Sequence, residues 1–173
     1  MTTNIKTEKN AADGYTIPAK ADIGHVHLKV SDIDRSLRFY RDLLGFELTT
    51  MYGDQAAFIS AGGYHHHIAL NTWHSKGSPP ASRSGVGLYH VAIRYPSRKD
   101  LAMICDRLRT ARYPLSGASD HAVSEALYLN DPDGNGIELY WDRPREHWPY
   151  HEDGSVAMVT MPLDLANLLR ELG

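Results

Sequence analysis

Cysteine is almost missing from this chain: Cys105 is its one thiol in 173 residues, so no disulfide can form within it. Cys105 follows Ile104 in a helical pattern, where an inert buried thiol is expected rather than a nucleophile or ligand. Long hydrophobic runs are also missing, and none approaches the length that crosses a bilayer. The first ten residues are polar and lack the apolar stretch of a signal peptide, so a cytoplasmic setting and no membrane partner are expected. There is no basic cluster. Eighteen Lys and Arg stand against 21 Asp and Glu, scattered along the chain, with net charge −3 and a pI of about 6.3. That balance lacks the electrostatic footprint of a nucleic-acid binder. What is present, 42% apolar and 23% charged residues, suits one compact core or two small fused modules.

An internal duplication organises the chain. Gly24-His25-Val26-His27-Leu28-Lys29-Val30 is echoed by Tyr89-His90-Val91-Ala92-Ile93-Arg94-Tyr95, each opening a period-2 run followed by a helical pattern. After a polar arm over 1–20, a strand from Ile23 is followed by helix-start residues Ser31 and Asp32. Ile33, Leu37, Tyr40 and Leu44 then recur at helical spacing, up to a stop at Gly45. Three strands are expected at 46–50, 55–60 and 66–72. The first module, about 21–74, therefore reads as βαβββ. A Ser/Gly/Pro-rich linker covers 75–87. The second module, about 88–142, repeats the order: a strand at 89–95, a capping box from Ser97 to Asp100, and a helix with Leu101, Ile104 and Leu108 on one face. A short extended piece at 115–116 and a strand at 124–130 follow, and the turn Asp131-Pro132-Asp133-Gly134-Asn135-Gly136 leads into a strand at 137–141. The extension, 143–173, ends in a helical run from Leu163 to Leu172 and is expected to pack on the core or on another subunit.

If both modules fold alike, pseudo-twofold symmetry brings His25 and His90 together across 65 positions. Glu138, between Ile137 and Leu139, must face the same cavity when those two face the helix. Two imidazoles and one carboxylate leave open positions on a divalent ion, the arrangement associated with non-heme Fe(II) oxygenases, with zinc chemically open as well. His27, on the same strand face as His25, is expected to line the pocket.

These segments, with Phe39-Tyr40-Arg41-Asp42-Leu43-Leu44-Gly45-Phe46 and the 131–139 turn and strand, resemble the vicinal oxygen chelate superfamily of glyoxalase I, bleomycin-resistance proteins and extradiol dioxygenases. The resemblance covers roughly 23–142. Tyr64-His65-His66-His67-Ile68-Ala69-Leu70 and Glu138-Leu139-Tyr140-Trp141-Asp142-Arg143-Pro144 look most like the small catechol 2,3-dioxygenase-like branch. The resemblance implies an α+β fold of two tandem βαβββ modules forming an open barrel of the glyoxalase/extradiol-dioxygenase type. It implies metal ligands at His25, His90 and Glu138 and a proton-handling histidine at His66. His67 is the rival, because the alternation that aims Glu138 inward aims His67 inward too. The resemblance also implies a substrate-side hydroxyl at Tyr128 and a further histidine at His121, where the family's spacing is about two residues longer.

The leading expectation is extradiol ring cleavage of an aromatic diol with O₂ at a mononuclear Fe(II), with Mn(II) as the alternative ion, by a homodimer. A glyoxalase-like lyase or isomerase using Zn(II) or Ni(II), and a metal-free small-molecule-binding resistance protein, stay open beside it.

Overall fold

Alternation from Val26 makes a four-residue strand, β1 (Val26–Lys29), with Leu28 turned into the core. The Asp32 side chain then accepts from the Arg35 amide at 2.7 Å and caps helix α1 (Ile33–Leu37). The computed structural model describes residues 14–80, 82 and 84–173, so most of the expected arm at 1–20 lies outside them. The expected regular helix to Leu44 changes pitch: Arg38–Leu43 forms a π-helical turn with the Leu44 amide bonded to the Phe39 carbonyl at 2.9 Å. The consecutive Phe39 and Tyr40 are both buried, and Tyr40 donates to Asp131 Oδ2 at 2.9 Å. Gly45, at φ +91°, supplies the left-handed stop.

Strands β2 (Glu47–Tyr52), β3 (Ala56–Ser60) and β4 (Ile68–Asn71) complete the first module. The second repeats it with β5 (Val91–Arg94), α2 (Arg98–Thr110), β6 (Gly117–Asp120), β7 (Ser124–Asn130) and β8 (Gly136–Asp142). Ser97 caps α2 by accepting from the Asp100 amide at 3.1 Å, as the S-x-x-D spacing predicts. The duplication is visible in the pairing: β1 runs parallel to β4 (Val26 opposite Ile68), as β5 does to β8 (Val91 opposite Ile137).

The barrel is open, as expected. The strands form two separate sheets, ordered β1-β4-β3-β2 and β5-β8-β7-β6-β9, because β1 and β5 each pair inside their own module. The modules instead share a core, in which Val30, Ile33, Leu37 and Tyr40 of the first pack with Leu101, Leu108, Leu127 and Leu139 of the second. Polar ties reinforce it. The Asp133 carboxylate receives the Ser31 amide at 3.2 Å and the Arg35 guanidinium, and Arg107 donates to the carbonyls of Asp42 and Leu43, both at 2.6 Å.

The 143–173 extension packs on its own chain. A two-residue strand, β9 (Met161–Pro162), pairs with β6, and the expected helical run shortens to α3 (Leu165–Leu169) plus a 3₁₀ turn. Leu168 of α3 is fully buried. No helix among the described residues is long and apolar enough to cross a membrane.

Candidate catalytic centre

Two clusters of polar side chains stand on the sheet faces opposite the core. In the second sheet, Leu127 opposite Leu139 and Leu129 opposite Ile137 face inward, so Tyr128 and its cross-strand partner Glu138 share the other face. The Tyr128 hydroxyl donates to Glu138 Oε1 at 2.8 Å, and Glu138 Oε2 lies 3.0 Å from His90 Nε2. His121 closes the other end, with Nε2 2.7 Å from the Tyr128 hydroxyl and Nδ1 2.7 Å from the Val159 carbonyl. Since a carbonyl only accepts, His121 carries a proton on Nδ1. Tyr128 has one proton for two contacts. Given to Glu138, it leaves the phenol oxygen as acceptor, so the 2.7 Å contact to His121 Nε2 is a hydrogen bond when that nitrogen also carries a proton, as in the imidazolium. Burial and then the bonded Glu138 carboxylate push the Tyr128 pKa well above its ordinary value, so the phenol keeps that proton.

In the first sheet the His25 and His66 rings lie 4.4 Å apart, and His66 packs edge-on to Phe58 at 5.1 Å. His66 precedes the regular part of β4, so strict alternation does not govern it. Burial, then the neighbouring imidazoles of His25, His65, His27 and His67, lower the His66 pKa. His67 turns away from that group: its Nδ1 accepts from the Ala61 amide at 3.3 Å, sits 3.0 Å from Ser60 Oγ, and its ring stacks near Tyr64. His27 Nε2 accepts from the Asn71 amide nitrogen at 2.9 Å, and its ring lies against Trp73.

The structure therefore joins His90, Glu138, Tyr128 and His121, and separately His25 and His66 with His27 nearby. It does not bring His25 to the His90–Glu138 pair, and among the described residues no three His, Cys, Asp or Glu side chains are grouped to hold an ion. The donor types suit a divalent metal. The 3.0 Å between His90 Nε2 and Glu138 Oε2 is a hydrogen-bond length. It also matches the span of two cis donors each about 2.1 Å from one ion. Of the three expected ligands, His90 and Glu138 lie together, and His25 stands apart, directly before β1 of the other sheet.

Sequence reasoning missed the Val159 carbonyl, which has no side-chain signature, and the ion pairs around Arg143. Arg143 donates to both Asp120 oxygens at 2.8 and 2.9 Å and to Glu125 Oε1 at 2.9 Å. An arginine directly after β8 was the available signal.

Residues 22–139 match the family model described as the Glyoxalase/Bleomycin resistance protein/Dioxygenase superfamily. The chain belongs to this superfamily. Among its relatives is the catechol-2,3-dioxygenase of Bacillus subtilis, 42% identical over 151 residues, which are 87% of this chain and 52% of that protein. The biphenyl-2,3-diol 1,2-dioxygenase 3 of Rhodococcus globerulus is 30% identical over 74% of this chain and 68% of its own length. The superfamily member from Bacillus is thus about twice the length that this chain spans. The fold agrees with that of a glyoxalase/dioxygenase from Nostoc punctiforme, with a TM-score of 0.60, 17% identity, and 75% of this chain and 99% of that one covered.

Proposed function

We propose that this chain is an extradiol ring-cleaving dioxygenase that inserts O₂ into a catechol-type diol at a mononuclear Fe(II) held by His25, His90 and Glu138. The observation that carries the reading is the unbroken hydrogen-bonded line from His121 through Tyr128 to Glu138 and His90, which couples a substrate-side hydroxyl to the proposed ligands. The likeness to catechol-2,3-dioxygenase of Bacillus subtilis supports it. Bound Fe(II) would provide a conduit through which the diol, itself oxidised as both oxygen atoms enter the ring-opened product, passes electrons to O₂.

The chain's own residues do the rest. His66, held in its neutral form by burial and by neighbouring imidazoles, takes a proton from the diol hydroxyl and later returns it. Tyr128 keeps its proton and orients the diol, with His121 behind it fixing the direction of that hydroxyl. His27, steadied by Asn71 and Trp73, lines the pocket. His67 is committed to the Ala61 and Ser60 turn, which favours His66 for the proton-handling role.

Reconstitution with Fe(II) under anaerobic conditions, then catechol and air, tests the proposal. A yellow ring-fission product with one O₂ consumed per ring opened is expected. Turnover of a glutathione hemithioacetal without oxygen uptake would place the chain with the lyases, and catechol binding without product would make it a binding protein.

A further inference from the structure

His121 sits in a turn whose backbone is under constraint. Ala122, the next residue, has φ +66°, a left-handed conformation that a non-glycine residue adopts only when its surroundings impose it. The Asp120 side chain imposes it by accepting from the Ala122 amide at 2.8 Å. The His121 amide bonds to the Ser124 carbonyl at 2.9 Å, and the backbone amide of Arg143 reaches the Val123 carbonyl at 2.8 Å. The Arg143 guanidinium then grips both oxygens of Asp120, so the group that shapes the turn is clamped in two-point, charge-assisted geometry.

We propose that Arg143 is a positioning residue, acting through Asp120 to hold His121 in line with Tyr128. The effect on turnover rests on the dioxygenase reading; the effect on His121 does not. Arg143 is itself steered by the buried Glu125, which is shared with Arg98, and Arg98 continues to Asn167 and Glu171 in the C-terminal segment. That segment also supplies the Val159 carbonyl to His121 Nδ1. The clamp and the carbonyl together set where His121 Nε2 points.

Arg98 provides the control, since it shares Glu125 with Arg143 but does not touch Asp120. Ring ¹⁵N NMR of the purified chain should show His121 Nδ1 protonated, with a slowly exchanging proton. In Arg143→Gln that exchange should accelerate by about tenfold or more as the turn loosens. In Arg98→Gln it should stay near the parent rate, although the lost Glu125 contact lowers thermal stability. Asp120→Asn, which retains an acceptor for the Ala122 amide but loses the ion pair, should fall between parent and Arg143→Gln. Arg143→Lys should recover only part of the effect, because an ammonium cannot make the two-point contact. In the Fe(II)-loaded chain, Arg143→Gln should lower kcat by roughly 10- to 100-fold with little change in KM. Parent-like exchange in Arg143→Gln, or equal acceleration in Arg98→Gln, overturns the proposal. If the parent consumes no O₂, the dioxygenase reading fails while the NMR comparison still decides the role of Arg143.

Discussion

His66 and His67 are neighbours with rings in different company, one against His25 and Phe58 and the other tied to Ala61 and Ser60. His66→Phe should therefore keep iron yet lose turnover by ~10²–10⁴-fold, the usual contribution of a general acid–base group. His67→Phe should mainly loosen the 61–67 turn. Steady-state oxygen uptake with iron analysis distinguishes them, and the reverse pattern would exchange their roles. For the proposed ligands, His25→Ala, His90→Ala and Glu138→Ala should each abolish stoichiometric iron binding in elemental analysis of the purified variants. Full iron retention by any one would remove it from the ligand set, and His25 is the most exposed to that outcome because it stands apart from the other two.

At the level of elements, the turn between β6 and β7 gives a prediction about pH. The hydrogen-bonded Arg143 guanidinium holds the Asp120 carboxyl below its ordinary range. A carboxyl whose pKa is depressed by folding binds fewer protons in the folded than in the unfolded chain at moderately acid pH. Its contribution is thus fully present above the unfolded pKa, near ~3.9, and is lost as pH falls through the lower folded value. Arg143→Gln should flatten the acid limb of a stability-against-pH curve below about pH 5 and leave its slope near neutrality unchanged, as measured by urea midpoints. The turn into β8 is constrained differently. A side chain at Gly136 would place its Cβ 2.2 Å from the Tyr89 carbonyl oxygen, beside His90. Gly136→Ala must displace the backbone next to a proposed ligand, and both thermal stability and iron affinity should fall together.

Across the whole molecule the two modules share one core, so they should not unfold separately. Trp73 reports on the first module and Trp141 on the second. Fluorescence of single-tryptophan variants at these positions and far-UV circular dichroism should trace one coincident urea transition. Two separated transitions would show that the shared core is not cooperative. Tyr40→Phe removes the bond from the first module to Asp131, the residue that also receives the Asp133 and Asn135 amides. It should lower stability by about 1.5–3 kcal/mol, the range for hydrogen bonds to charged groups, without changing that cooperativity.

The local chemistry of this chain determined a great deal by itself. Period-2 alternation, the Ser97 and Asp32 caps, the glycine-bearing turn before β8 and the repeated His-Val opening are short-range signals, and they produced the duplicated βαβββ order with most strand limits within two or three residues. Alternation also aimed Glu138 to the face opposite that of Ile137 and Leu139, while its register with Tyr128 came from the folded sheet. Long-range packing decided the remainder. The pitch change at Arg38–Leu43 lets Tyr40 reach Asp131, 91 positions away. The grouping of His25 with His66, and of His90 with Glu138, depends on the parallel pairing of β1 with β4 and of β5 with β8, strands far apart in sequence. The alignment of His121 depends on a carbonyl from 38 residues downstream and on an arginine beyond the last strand of the second module. None of these partners is near in sequence, and a backbone carbonyl carries no residue identity at all, so only the folded chain could bring them to the same place.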